Sequence, residues 1–95
     1  MKHKTILLEL KKLSDGTKTA VQIIIVDKMA IANFKDKYLC KKMYEQDKKA
    51  GKNVLLDTRH ERNVLTEVFP DKTMDEIYDI IVARLRKEEI KFKTK

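Results

Sequence analysis

Apolar and polar residues alternate along the first part of the chain, which is the pattern of half-buried β-strands. Residues 5–13 alternate, and residues 14–18 contain an Asp-Gly pair that supplies the positive φ a tight hairpin needs. Residues 19–26 then include four consecutive apolar residues, which is typical of a central strand covered on both faces. The pattern predicts an N-terminal β-hairpin.

After a transition at residues 27–32, the period changes to a helical one over residues 33–52. Projection at about 100° per residue separates an apolar side around Leu39 from a side rich in lysine. Asp27 or Asn33 is the expected N-cap, and Gly51 stands where a left-handed residue commonly ends a helix. The basic side is predicted to carry seven lysines and one tyrosine: Lys35, Lys37, Tyr38, Lys41, Lys42, Lys48, Lys49 and Lys52.

Residues 53–58 predict a third strand, and the segment that follows is ambiguous. With the second strand and the basic helix, this strand would complete a right-handed β-α-β unit with parallel strands. Over residues 59–69, Thr58 and Glu61 fit a capping box, and the apolar residues beyond them share one helical face. The same segment also echoes residues 53–58 and could pair with them as a hairpin. The capping box slightly favours the helix, and both interpretations stay open.

A long C-terminal helix is predicted after Pro70. Thr73 and Glu76 form a second capping box, and an apolar stripe at helical spacing follows. Acidic residues stand early and basic residues late, which suits the helix dipole. The helix is expected to end near Glu89, and residues 90–93 could add a short edge strand.

The predicted fold class is α/β or α+β in one domain. The order is strand, strand, basic helix, strand, short helix or strand, long helix and possible edge strand. If residues 53–69 form a hairpin, the strands from residue 20 onward would give a ferredoxin-like βαββαβ plait with an extra N-terminal strand. A chain of 95 residues suits one core.

Composition narrows the functional classes. The single Cys40 excludes an internal disulfide and a cysteine-rich zinc site. Glu9 interrupts the N-terminal apolar run, which is too short for a signal peptide or a membrane span. We therefore expect a cytoplasmic protein with no membrane partner.

The net charge of +7 is unevenly distributed and favours polyanionic partners. Residues 27–52 hold eight lysines and four acids, whereas residues 53–89 are net acidic. Lysines near phosphates release condensed counterions, and Phe34 and Tyr38 among them could stack on exposed bases. The sequence therefore predicts a small accessory protein that binds DNA or RNA largely non-specifically. The alternative for the lysines is an ordinary solvated face.

The sequence is also compatible with two other functional classes. Asp27 and Asp57 each follow a predicted strand, so in a β-α-β unit they could hold Mg²⁺ at one sheet edge, with Arg59, His60 and Arg62 nearby for a phosphate. A third ligand and a motif of fixed spacing are lacking, so neither an enzyme nor a cofactor is expected. A protein-interaction or assembly module is the leading alternative, because an exposed hairpin edge and a short chain favour homodimerisation.

Overall fold

The N-terminal hairpin forms as the sequence predicts. In the computed structural model, which describes residues 2–95, β1 (Lys4–Lys11) pairs antiparallel with β2 (Lys18–Val26). Gly16 has φ 75° in the connecting turn. Asp15 Oδ1 accepts hydrogen bonds from the Thr17 backbone N–H at 3.0 Å and from its hydroxyl at 2.7 Å. These bonds lower the pKa of Asp15 and fix the turn.

A third strand occupies residues that the sequence assigned to a transition and the start of a helix. β3 (Met29–Phe34) pairs antiparallel with β2 across a two-residue turn at Asp27 and Lys28. Asp27 has φ 52°, a conformation that glycine adopts freely and other residues rarely. Because Asp27 occupies a position where glycine is usual, the sequence carries no signal for this turn. The prediction of a transition followed by the start of a helix is wrong here.

The basic helix begins four residues later than predicted, as α1 (Lys37–Lys49). Neither expected residue caps it. Asp36 does, because its Oδ1 accepts hydrogen bonds from the backbone N–H groups of Tyr38 at 2.9 Å and Leu39 at 3.1 Å. Gly51, at φ 80°, follows the helix in the left-handed conformation that the sequence predicts.

The ambiguous segment is a strand, so the helical interpretation is wrong and the hairpin interpretation is confirmed. β4 (Val54–Asp57) pairs antiparallel with β5 (Val64–Val68). β5 also pairs antiparallel with β3. Because β5 lies between two strands, both sides of its backbone are hydrogen-bonded, and this pairing outweighs the local helical signal.

The six strands of residues 2–95 form one antiparallel sheet in the order β4-β5-β3-β2-β1-β6. The last elements, α2 (Met74–Lys87) and the edge strand β6 (Phe92–Thr94), follow the prediction. The predicted α+β class and the order of the predicted elements are confirmed.

The predicted parallel unit and the plait are wrong in their connections. β4 runs parallel to β3, with β5 between them, and not to β2. In the predicted βαββαβ plait, which starts at β2, the last strand would pair with β2. Here β1 lies between β2 and β6.

Both helices cover the same face of the sheet. Leu39 and Cys40 of α1 and Ile77 of α2 belong to one buried cluster with Ile6 and Ile25 of the sheet. α1 contacts β3, β4 and β5, whereas α2 contacts β2 and β3. The opposite face, which we call the open face, carries neither helix. Neither helix of residues 2–95 is long and apolar enough to cross a membrane.

Candidate nucleic-acid interface

The inward side of α1 is fixed by packing. Leu39 and Cys40 are buried, and Met43 and Tyr44 are half-buried against the core. Burial raises the pKa of the Cys40 thiol to about 11, so this side chain is a protonated packing group at neutral pH. Because one side of the helix is held against the sheet, the other side must face outward.

Five of the seven predicted lysines lie on this outward side, within about 140° of arc at 100° per residue. Four are exposed and Lys41 is half-buried. Tyr38 lies among them and is 72% exposed. Phe34 is only 8% exposed, so it cannot stack on a ligand. We call the five lysines and Tyr38 the lysine arc: Lys37, Tyr38, Lys41, Lys42, Lys48 and Lys49.

The lysine arc keeps its charge unpaired. Among residues 2–95, no arc lysine forms an ion pair, although basic side chains elsewhere contact carboxylates, such as Lys4 with Asp75 and Arg84 with Glu67. Glu45 is the only acidic residue on the outward side of α1. The outward side of α1 therefore presents the five positive charges of the arc and the one negative charge of Glu45.

Lys35 and Lys52 do not belong to the arc, so their assignment to the same basic side is wrong. Lys52 follows the turn at Gly51, and its Nζ lies 3.1 Å from Asp47 Oδ1. Lys35 lies between the end of β3 and the start of α1, so it is not part of the helix. It lines a shallow depression with Lys91 and Lys93 instead. The basic charge of residues 90–95 is the sequence signal for Lys91 and Lys93.

A groove of about 490 Å³ separates α1 from α2 above the centre of the sheet, with Ile23 and Ala32 on its floor. Arg84 of α2 donates through both terminal nitrogens to the Glu67 carboxylate of β5, with Nη2 3.1 Å from Oε2. This bidentate pair joins helix to sheet and neutralises both charges. The groove is therefore not a second basic surface.

The hypothetical Mg²⁺ carboxylates lie at opposite ends of the sheet. Asp27 follows β2 and Asp57 is the last residue of β4, and because β2 and β4 run antiparallel, the two residues lie at opposite ends of the strands. Asp57 Oδ1 accepts a hydrogen bond from the Arg59 backbone N–H at 3.0 Å, which lowers the pKa of Asp57. No group of three or more His, Cys, Asp or Glu residues within 2–95 is placed to hold a metal ion. The prediction of a shared edge is wrong.

Comparison of the chain with protein-family models, curated proteins and solved structures finds no match. The side chains of α1 and of the open face are therefore the basis on which a function is inferred.

Proposed function

We propose that this protein binds nucleic acid through the lysine arc, without sequence specificity and without catalysis. The observation that carries the proposal is the unpaired charge of five lysines on one side of a helix whose other side is anchored in the core. A nucleic-acid backbone gains affinity from such a surface because neutralised phosphates release their counterions. The cytoplasmic location expected from the sequence is part of this proposal.

The chemistry of the arc favours the backbone over the bases. Lysine is a flexible point charge, so its phosphate contacts position a strand without distinguishing sequences. A helix of 13 residues is about 20 Å long at 1.5 Å per residue, which lets it follow several successive phosphates. Tyr38 adds an exposed ring on which an unpaired base can stack. We therefore expect single strands to bind at least as well as duplexes.

The test is fluorescence anisotropy of labelled single strands and duplexes at several salt concentrations. We expect the logarithm of the binding constant to fall with the logarithm of salt, by about 0.7 per phosphate contact for single strands and about 0.9 for duplexes. Replacing Lys41, Lys42, Lys48 and Lys49 with glutamine should flatten this slope by roughly 3 and weaken binding severely at low salt.

The matched control removes the same charge elsewhere. Lys2, Lys11, Lys18 and Lys87 are exposed and lie outside the arc, so their replacement with glutamine should leave the salt slope close to that of the wild type. Equal losses in both quadruple variants would mean that overall charge, and not the arc, drives binding. Absence of binding to every strand at low salt would overturn the proposal.

A further inference from the structure

The centre of the open face is uncharged. Its side chains on β3, on β5 and on β2 from Ala20 onward include no Asp, Glu, Lys or Arg, although 39% of the whole chain is charged. A sheet with helices on one side usually turns polar residues towards water on the other. This sheet departs from that pattern at its centre, on β2, β3 and β5.

The apolar side chains on this face form a continuous surface across four strands. The registers place Ile24 beside Ile31, Ile31 beside Thr66, and Thr66 beside Leu55, while Val26, Met29 and Val68 form the neighbouring row. Leu55 is 60% exposed. We call these residues the open-face patch: Ile24, Val26, Met29, Ile31, Leu55 and Val68.

The charge distribution selects the partner. A two-fold interface brings each patch against its own copy, so a charged patch would repel itself. The chain carries a net charge of +7, and both the lysine arc and the C-terminal lysines, Lys91, Lys93 and Lys95, are positive. The open-face patch is the surface that two copies can bring together without that repulsion.

The size of the face suits a weak, reversible dimer. Five strands about 4.8 Å apart and five residues of about 3.3 Å each cover about 400 Å² in one copy. Two copies would therefore bury about 800 Å², which is below the area of stable interfaces and in the range of transient ones. The edge strands offer less, because β4 has four residues and β6 has three, and short edges resist pairing with another sheet.

We propose that the open face is the interface of a two-fold homodimer in which two sheets pack face to face, about 10 Å apart. The helices of both copies lie on the outside of this sandwich. The modest area makes the dimer reversible, so its population depends on protein concentration. The inference does not depend on nucleic-acid binding, and it assigns dimerisation to a sheet face and not to a hairpin edge.

The test is sedimentation velocity from about 1 µM to about 200 µM, a range that covers reversible dimers. Wild-type protein should change from monomer to dimer across it. Leu55→Lys and Thr66→Lys each place a positive charge opposite its own copy and should weaken association by at least about tenfold. Leu13→Lys is the control, because Leu13 is a similarly exposed leucine, 56% against 60%, in the β1–β2 connection. It should leave the dimer intact.

A monomer at every concentration would overturn the proposal. So would unchanged dimerisation in the Leu55→Lys and Thr66→Lys variants, provided that both variants are folded. Methyl NMR of the wild type covers the case in which both variants fail to fold. The Ile24, Ile31 and Val68 methyl signals should move with protein concentration, while those of Leu13 stay fixed. Open-face signals that respond only to added oligonucleotide would also contradict the dimer and assign the face to nucleic acid.

Discussion

Both helices end in the same backbone geometry, and they differ in the residue that adopts it. Beyond each helix, two successive N–H groups donate to carbonyls of the last turn over 2.9–3.1 Å, which is the Schellman arrangement. The left-handed position is Gly51 after α1, at φ 80°, and Glu89 after α2, at φ 57°. A side chain in this conformation is strained by contact of its Cβ with the backbone, whereas glycine is not.

Glu89→Gly should therefore stabilise the protein, and Gly51→Ala should destabilise it. We expect a gain of about 0.5–1 kcal/mol for the first and a loss of about 1 kcal/mol for the second, measured by urea denaturation. Beyond the adjoining backbone, a Cβ added at Gly51 would meet no atom within 4 Å, so that loss would come from the local backbone conformation alone.

Glu88→Gly is the control, because Glu88 has φ −88° and gains nothing from glycine. It should be neutral or destabilising. If Glu89→Gly were no more stable than Glu88→Gly, the conformation at Glu89 would not be strained.

At the level of elements, the N-terminus of α2 is held by a reciprocal pair of hydrogen bonds. Thr73 Oγ1 accepts from the Glu76 N–H at 3.2 Å, and Glu76 Oε1 accepts from the Thr73 N–H at 2.9 Å. The bonds from Thr73 lower the pKa of Glu76 below its ordinary value of 4.5. The ionised carboxylate is therefore favoured in the folded state.

This lowered pKa predicts a pH dependence of stability. The stabilisation from ionised Glu76 is fully present above pH 4.5, the ordinary pKa, and is lost as the pH falls through the lower folded-state pKa. Glu76→Gln keeps a hydrogen-bond acceptor but cannot titrate. The stability difference between wild type and Glu76→Gln should shrink as urea midpoints are measured from pH 7 down to pH 3.

Glu45→Gln is the control for the substitution itself, since Glu45 is exposed and accepts no side-chain hydrogen bond among residues 2–95. At pH 7 it should change the urea midpoint less than Glu76→Gln does. A Glu76→Gln profile that runs parallel to the wild type at every pH would show that the carboxylate contributes nothing through its charge.

The sequence predicted elements whose signals are local and failed where distant pairing decides. The Thr-x-x-Glu pattern occurs twice, and it caps a helix at Thr73 but not at Thr58. Apolar spacing sustained from Ile77 to Leu85 supports α2. After Thr58 the apolar residues instead fill the space between β3 and β4, a partnership that local sequence does not encode.

The turn at Asp27 was not predicted, and the turn at His60 and Glu61 was predicted only as one of two alternatives, for the same reason. Asp27, His60 and Glu61 have φ of 52°, 52° and 62°, and the two hairpins they close lack the Asn-Gly or Asp-Gly pairs that mark such turns. The turn at Gly16, which has that pair, was found. Strand pairing on both sides can impose a left-handed residue that the sequence alone gives no reason to expect.

The same contrast between local and distant signals explains which residues of the candidate surfaces were predicted. Lysines within α1 were grouped correctly because the helical period is a local property, and Lys35 and Lys52 were misassigned because the helix bounds were wrong. The open-face patch could not be found while residues 29–34 were divided between a transition and a helix. Their alternation becomes visible only once they are a strand.

At the scale of the whole molecule, the two proposals fix where the basic surfaces lie. The sheet separates the helical layer, with its lysine arc, from the open face. In a face-to-face dimer the two sheets are inside, and the two arcs lie on opposite outer surfaces, on the order of 40 Å apart for layers spaced by about 10 Å. One straight strand cannot contact both arcs, so the dimer would hold two separate segments.

Together the proposals predict that the dimer bridges nucleic acids. An immobilised oligonucleotide should capture a second, labelled one only when wild-type protein is present at dimer-forming concentrations. Leu55→Lys should still bind one strand in anisotropy but lose the capture, because binding survives in the monomer and bridging does not. The arc quadruple variant should lose both while still sedimenting as a dimer. Leu13→Lys, which adds the same charge, should retain both. If Leu55→Lys captured the second oligonucleotide as well as the wild type does, bridging would not depend on the open-face dimer.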